Sequence, residues 1–206
     1  MRQQKRRRPS VSGLGKASLK VTLCQKKSIE NSGPFVIVLL MQVAIFLGSK
    51  SDSETVKKAA DVLREFGVEF KSYVLSAHRA GDLLVKTIGQ AEAEGAKVII
   101  AAAGLSAALP GVIASRTVLP VIGLPLECVT PGKSNGLAGM DALLSIVQMP
   151  PQIPVATVGI NSSKNAAYLA LEILALNDGA LREKLLAFRK KMVSDAQALL
   201  ESGFEL

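Results

Sequence analysis

From residue 42 onward the chain alternates between short, nearly continuous apolar runs and longer segments whose apolar positions recur every three or four residues. Gln42–Leu47 is the first run and reads as a buried strand. Ser53–Phe66 follows, with Val56, Ala59, Ala60 and Leu63 at the i, i+3, i+4, i+7 spacing that lines one face of a helix, and Gly67 stops it. The alternation continues with Phe70–Leu75 as a strand and Gly81–Glu94 as a helix that carries Leu84, Ile88 and Ala91 on one face. Lys97–Ala102 reads as a strand, Leu109–Arg116 as a short helix, Pro120–Leu124 as a strand and Asp141–Gln148 as a helix. Pro154–Ile160 predicts a fifth strand, and Asn165–Leu176 and Leu181–Leu200 predict the closing helices.

Strands that are apolar on both faces must be covered on both, and strands separated by helices pair in parallel. The pattern therefore predicts an α/β fold: a three-layer α/β/α sandwich, flavodoxin-like, with a parallel sheet of about five strands and right-handed crossovers. Neither an internal repeat nor a second domain is visible. In such a sheet ligands bind beyond the carboxyl ends of the strands. Those ends are Gly48–Asp52, Ser76–Arg79, Gly104–Gly111 and the stretch after Leu126, all rich in Gly, Ser or charge.

Residues 1–40 break the pattern. They hold nine Lys/Arg against one acid, Glu30, and show no clean hydrophobic period. The apolar run Phe35–Leu47 that follows resembles a secretory signal only superficially. It is shorter than a typical span of ~20 residues, lacks an A-x-A site, and its second half is the first strand itself. Met41 stands one residue before that strand. The expectation is a basic extension over 1–40, upstream of a natural start at Met41, and one folded domain over 41–206; a targeting segment and a genuine basic arm are the alternatives.

Composition sharpens this picture. With 206 residues and 49% hydrophobic content the chain has room for a core, which excludes global disorder. The net charge of +8 suggests a nucleic-acid partner until it is located. All of it lies in residues 1–40; the rest of the chain holds sixteen bases and sixteen acids. The folded part is expected to bind neither nucleic acid nor membrane. One histidine, His78, and two distant cysteines, Cys24 and Cys128, allow no zinc-type cluster, so no metal is expected. Two cysteines cannot build a disulfide framework, which fits a reducing, cytoplasmic setting.

Each strand end offers some chemistry. Gly48-Ser49-Lys50-Ser51-Asp52 opens a helix. Its amides and hydroxyls suit a phosphate or carboxylate, and Asp52 suits ribose hydroxyls; equally, Ser51 or Asp52 could simply cap the helix. In Ser76-Ala77-His78-Arg79 the guanidinium suits phosphate and the imidazole suits proton transfer, although a lone histidine at a strand end is more often an ordinary loop residue. Ala103–Gly111 is small and backbone-rich, able to approach a ligand closely. Its Gly104-Leu105-Ser106-Ala107-Ala108 nearly matches a hydrolase nucleophile elbow. That fold places its histidine after the serine, whereas the only histidine here precedes Ser106.

Together GSKSD, SAHR, the AG…ALPG loop and Ser145-Ile146-Val147-Gln148-Met149-Pro150 resemble the PurE family of N5-carboxyaminoimidazole ribonucleotide mutases. The resemblance covers roughly residues 42–200, with four motifs in order. It implies a purine-biosynthetic isomerase that moves a carboxylate from N5 to C4 of an aminoimidazole ring, with a small-molecule ribonucleotide and CO2 as its partners. It also implies a homo-octamer and no cofactor. It puts the catalytic role on His78 and nucleotide binding on Ser49, Asp52 and Arg79, with Ser76, Gly104, Ser106 and Leu109 lining the pocket. Two features depart from the mutase pattern. Mutases usually carry His where this chain has Ala108, and related carboxylases that use CO2 directly carry a Ser matching Ser106 but usually Lys at the place of Arg79. A direct carboxylase and an inactive nucleotide-binding relative therefore stand as alternatives. The stretch Cys128–Gly136 is longer than usual for the family, and no contacts are carried over to it.

Overall fold

The computed structural model describes residues 41–130 and 133–203. The basic segment 1–40, with Cys24, lies outside these residues.

Five parallel strands form the sheet: β1 (Val43–Leu47), β2 (Phe70–Val74), β3 (Val98–Gly104), β4 (Val121–Leu126) and, after two intervening strands, β7 (Ala156–Thr157). Their spatial order is β2-β1-β3-β4-β7. The chain steps outward from β1 to β2, then returns past β1 to β3. The crossovers therefore reverse direction between β1 and β3, which in this architecture opens a crevice at the carboxyl ends of those two strands. Among the described residues six α-helices complete the fold: α1 (Ser53–Phe66), α2 (Gly81–Ala93), α3 (Leu109–Ala114), α4 (Met140–Val147), α5 (Ser163–Leu174) and α6 (Gly179–Ser202).

The period-two alternation of side chains along each strand feeds two cores. Val43, Ile45 and Leu47 of β1, with Ile100 of β3 and Leu124 of β4, pack against Val56, Leu63 and Phe66 of α1 and Ala167 and Leu171 of α5. Ala44 and Phe46, with Ile99 and Ala101, face Leu84 and Ile88 of α2, Ile113 of α3 and Ile146 of α4. The predicted apolar stripe of α1 is the buried one: Val56, Ala59, Ala60 and Leu63 all lie inside. Each fully buried leucine-sized side chain contributes about 1.5–3 kcal/mol. The sheet is thereby covered on both faces.

The predicted fifth strand shrinks from Pro154–Ile160 to Ala156–Thr157. It lies at the open edge and pairs with β4 only at Ile122 and Gly123. Pro154 has no N–H for a ladder, and Asn161 takes a left-handed backbone that turns the chain toward α5. The long stretch after Leu126 forms a small antiparallel hairpin, β5 (Cys128–Thr130) and β6 (Lys133–Asn135), which the hydrophobic pattern did not reveal. Its residues are mostly exposed and polar, so no periodicity marks them. Helix α6 begins earlier than expected because Asp178 caps it, accepting from the Leu181 N–H at 3.0 Å. Among the described residues no helix is long and apolar enough to cross a membrane.

Candidate active site

The loop after β1 folds into a tight polar unit. Lys50–Asp52 form one turn of 3-10 helix, and Ser49 caps it. The Asp52 carboxylate accepts from the Ser49 N–H at 3.0 Å, and the Ser49 hydroxyl accepts from the Ser51 N–H at 3.3 Å. The Ser51 hydroxyl sits 2.9 Å from Ser49 Oγ and 3.3 Å from Asp52 Oδ1. This reciprocal pair is a capping box. It closes around the 3-10 turn, since Asp52 makes no side-chain cap bond to α1. Burial lifts the Asp52 carboxyl above the ordinary aspartate range, although the Ser49 N–H and the Ser51 hydroxyl pull it the other way. The loop therefore holds a half-buried carboxylate and two hydroxyls in a fixed arrangement.

The loop after β2 is a turn in which the Arg79 and Ala80 N–H groups donate to the Ser76 carbonyl at 3.3 and 3.0 Å. His78 stands exposed on this turn.

The loop after β3 is built from small side chains and short-range turns. The Ala107 N–H donates to the Leu105 carbonyl at 2.8 Å and the Ala108 N–H to the Ser106 carbonyl at 2.6 Å. A side chain at Gly104 would come within 3.1 Å of the Leu126 carbonyl oxygen, so β3 and β4 need glycine there to stay close. Leu105 has φ +53°, a left-handed backbone that costs a leucine roughly 1–2 kcal/mol. Leu109 opens α3 and is buried.

These loops converge on one cavity of about 470 Å³ at the β1/β3 crevice, within the ~300–1,000 Å³ usual for small-molecule sites. Of the residues expected from the sequence, Ser49, Asp52, Ser76, His78, Gly104, Ser106 and Leu109 all line it. Arg79 is exposed on the His78 turn and does not line it. Among the lining residues that the sequence reading did not assign to the site are Ser51, Leu105 and Cys128. Ser51 lay inside a motif already singled out for its hydroxyls. Leu105 and Cys128 carried no local signal, because only the folding of the third loop against the hairpin brings them to the cavity. Among the described residues there is no group of three or more His, Cys, Asp and Glu able to hold a metal ion.

The arrangement can accept hydrogen bonds from ligand hydroxyls on one wall, exchange a proton through an imidazole, and shield a small group on the apolar third wall. Comparison with known proteins bears on what that ligand is. Residues 42–195 match the AIR carboxylase family. The chain is 50% identical over 157 residues to the N5-carboxyaminoimidazole ribonucleotide mutase of Pyrococcus abyssi, spanning 76% of this chain and 87% of that one. It is 51% identical over 164 residues to the enzyme of the same name from Methanocaldococcus jannaschii, spanning 80% and 98%. Its fold matches the crystal structure of Treponema denticola PurE with a TM-score of 0.63 at 30% identity, covering 78% of this chain and 94% of that one. A match over three-quarters of its length, with relatives at half identity, makes this chain a member of the AIR carboxylase family.

Proposed function

We propose that the protein is an N5-carboxyaminoimidazole ribonucleotide mutase of purine biosynthesis, and that the cavity at the β1/β3 crevice is its active site. The observation that carries this reading is the meeting of His78, the Ser49–Asp52 box and the small-residue third loop in one cavity, in a chain of this family. Asp52 and Ser49 bind the ribose end of the nucleotide. Arg79 binds the phosphate; its long stem lets the guanidinium swing from its exposed place on the His78 turn to the cavity rim.

The chemistry needs one acid–base group working in both directions. The N5–carboxylate bond breaks, its electron pair returns to N5, and imidazolium His78 donates a proton there. Neutral aminoimidazole ribonucleotide and CO2 remain side by side. C4 of the electron-rich ring attacks the CO2 carbon, and neutral His78 takes the C4 proton, which restores the aromatic ring and the imidazolium. Holding CO2 against C4 is a proximity effect that depends on excluding water. The Gly104–Leu109 wall, small and largely apolar, suits that task.

The same reading takes the enzyme to be a homo-octamer of the cytoplasm with residues 41–206 as its working unit. Helix α6 supports self-association. It runs for 24 residues, only Leu181 is buried, and Met192, Val193, Leu199 and Leu200 face outward. Within the chain it packs through Leu181, Leu185 and Phe188, and its remaining apolar side chains stay open to a second copy. The free thiol of Cys128 at the cavity suits a reducing compartment.

The test is an assay of the full chain, and of one beginning at Met41, with light scattering on both. The expected result is C4-carboxylated product from the N5-carboxy compound by both chains, each an octamer. Product from aminoimidazole ribonucleotide and bicarbonate alone, with no use of the N5-carboxy compound, would make the enzyme a direct carboxylase and Ser106 the more telling residue.

A further inference from the structure

The third loop holds one large exposed side chain among small ones. Gly104, Ser106, Ala107 and Ala108 surround Leu105, which is 42% exposed and lines the cavity. Its φ of +53° belongs to the region that glycine occupies freely and leucine does not. A leucine held in that conformation indicates that the side chain itself is put to use.

That side chain reaches across to the chain just past the β5–β6 hairpin. A Cβ built on Gly136 would lie 3.0 Å from Leu105 Cδ2, so the leucine abuts bare backbone there. Gly136 is also left-handed, at φ +71°, and a side chain on it would collide with the Asp141 carboxylate. Asp141 fixes this backbone by accepting from the Leu137 N–H at 3.4 Å and the Ala142 N–H at 3.0 Å. Two left-handed residues thus meet beside the cavity, one supplying an apolar side chain to its wall and the other the gap that receives it.

We propose that Leu105, braced against Gly136, is a positioning residue that walls the cavity and keeps CO2 from escaping between its release from N5 and its capture by C4. The role rests on the mutase reading, since only a reaction that passes through free CO2 needs such retention. Small apolar CO2 makes no strong polar contacts, so a wall retains it better than a hydrogen bond does. Removing the wall opens a path to bulk water without touching His78 or the nucleotide-binding box.

The test uses the full-length enzyme and N5-carboxyaminoimidazole ribonucleotide labelled with ¹³C in the carboxylate, in unlabelled bicarbonate buffer. The variants are Leu105→Gly, Leu105→Ala and Leu105→Met. Glycine relaxes the left-handed backbone, so Leu105→Gly keeps or raises Tm. In the wild type the label passes to the product. In Leu105→Gly and Leu105→Ala the product fraction that has lost label rises about tenfold, and free aminoimidazole ribonucleotide accumulates. Leu105→Met refills the gap and restores retention. Equal retention in all variants overturns the role of Leu105 while leaving the mutase reading intact. Label loss that appears only in step with a fall in Tm also overturns it, since the residue is then structural. A wild type that makes no C4-carboxylated product rejects the mutase reading and the Leu105 role together.

Discussion

The loops after β1 and β3 face each other across one cavity and are built in opposite ways. The first satisfies itself: Ser49, Ser51 and Asp52 bond to one another, and a half-buried carboxylate is held in place by its neighbours. The third is almost free of polar side chains, turns on short backbone bonds, and carries its strain at Leu105. A self-bonded polar loop is preorganised to bind a nucleotide without reordering at the moment of binding. A small-residue loop binds little but shapes a space. On the proposed reading one wall supplies affinity and the other enclosure, and neither carries an imidazole. The imidazole between them is therefore the part that should matter most to rate.

Replacing that imidazole gives the largest expected effect. His78→Asn keeps similar size and some hydrogen bonding but takes up no proton near pH 7. Turnover should fall by at least ~10²-fold, the scale of general acid–base catalysis, while nucleotide affinity, read by calorimetry, stays unchanged. Near-normal turnover would show that one of the walls carries the proton after all.

The division between walls also explains what could be read from the sequence. The polar loop was legible because its residues are neighbours in the chain: Gly48–Asp52 stood out as a helix-opening strand end, although the sequence offered Ser51 or Asp52 as the cap and the structure puts it at Ser49. Helix α1 was legible for the same reason, its stripe being a local repeat. The apolar wall was not. Leu105 acquires its meaning from Gly136, thirty-one positions later, and the hairpin after β4 is too polar and short to leave a period. The truncated β7 is a similar case. Its local sequence is strand-like, but Pro154 lacks a ladder N–H and the left-handed Asn161 turns the chain away, so only Ala156 and Thr157 pair with β4.

A smaller effect should separate binding from stability on the polar wall. Asp52→Asn removes the charge that ribose hydroxyls would use, and a lost charged hydrogen bond weakens binding by roughly 10- to 100-fold. Its effect on the empty protein runs the other way. Burial raises the Asp52 carboxyl in the folded state, so the folded protein holds this proton to higher pH than the unfolded chain does. Below the ordinary aspartate range both states are protonated and the group is neutral to stability. As pH rises from there through the raised folded value, the unfolded chain releases its proton first and stability falls; above it the penalty is constant. Asp52→Asn should therefore raise Tm relative to wild type at pH 7 and lose that advantage in acid. Scanning calorimetry across that range checks it, and a variant less stable than wild type at pH 7 would mean that the bond from the Ser49 N–H outweighs burial.

The smallest effect is expected on the apolar wall, at Ala108. Many mutases of this family resemblance place an imidazole there, yet Ala108 lines this cavity with a methyl group and has its N–H engaged by the Ser106 carbonyl. If the wall only encloses, a titrating ring at this position is a matter of volume. Ala108→His should then keep the same substrate, with kcat within about tenfold of wild type, a barrier change of no more than roughly 1.4 kcal/mol. The pH–rate profile should keep its wild-type shape and gain no further limb. The double variant His78→Asn, Ala108→His makes the point strictly. An imidazole on the wall should fail to rescue it, because a proton carrier must reach both N5 and C4 and the wall is built to hold CO2. Rescue by even one order of magnitude would show that position along the cavity, and not the kind of wall, decides which residue moves the proton.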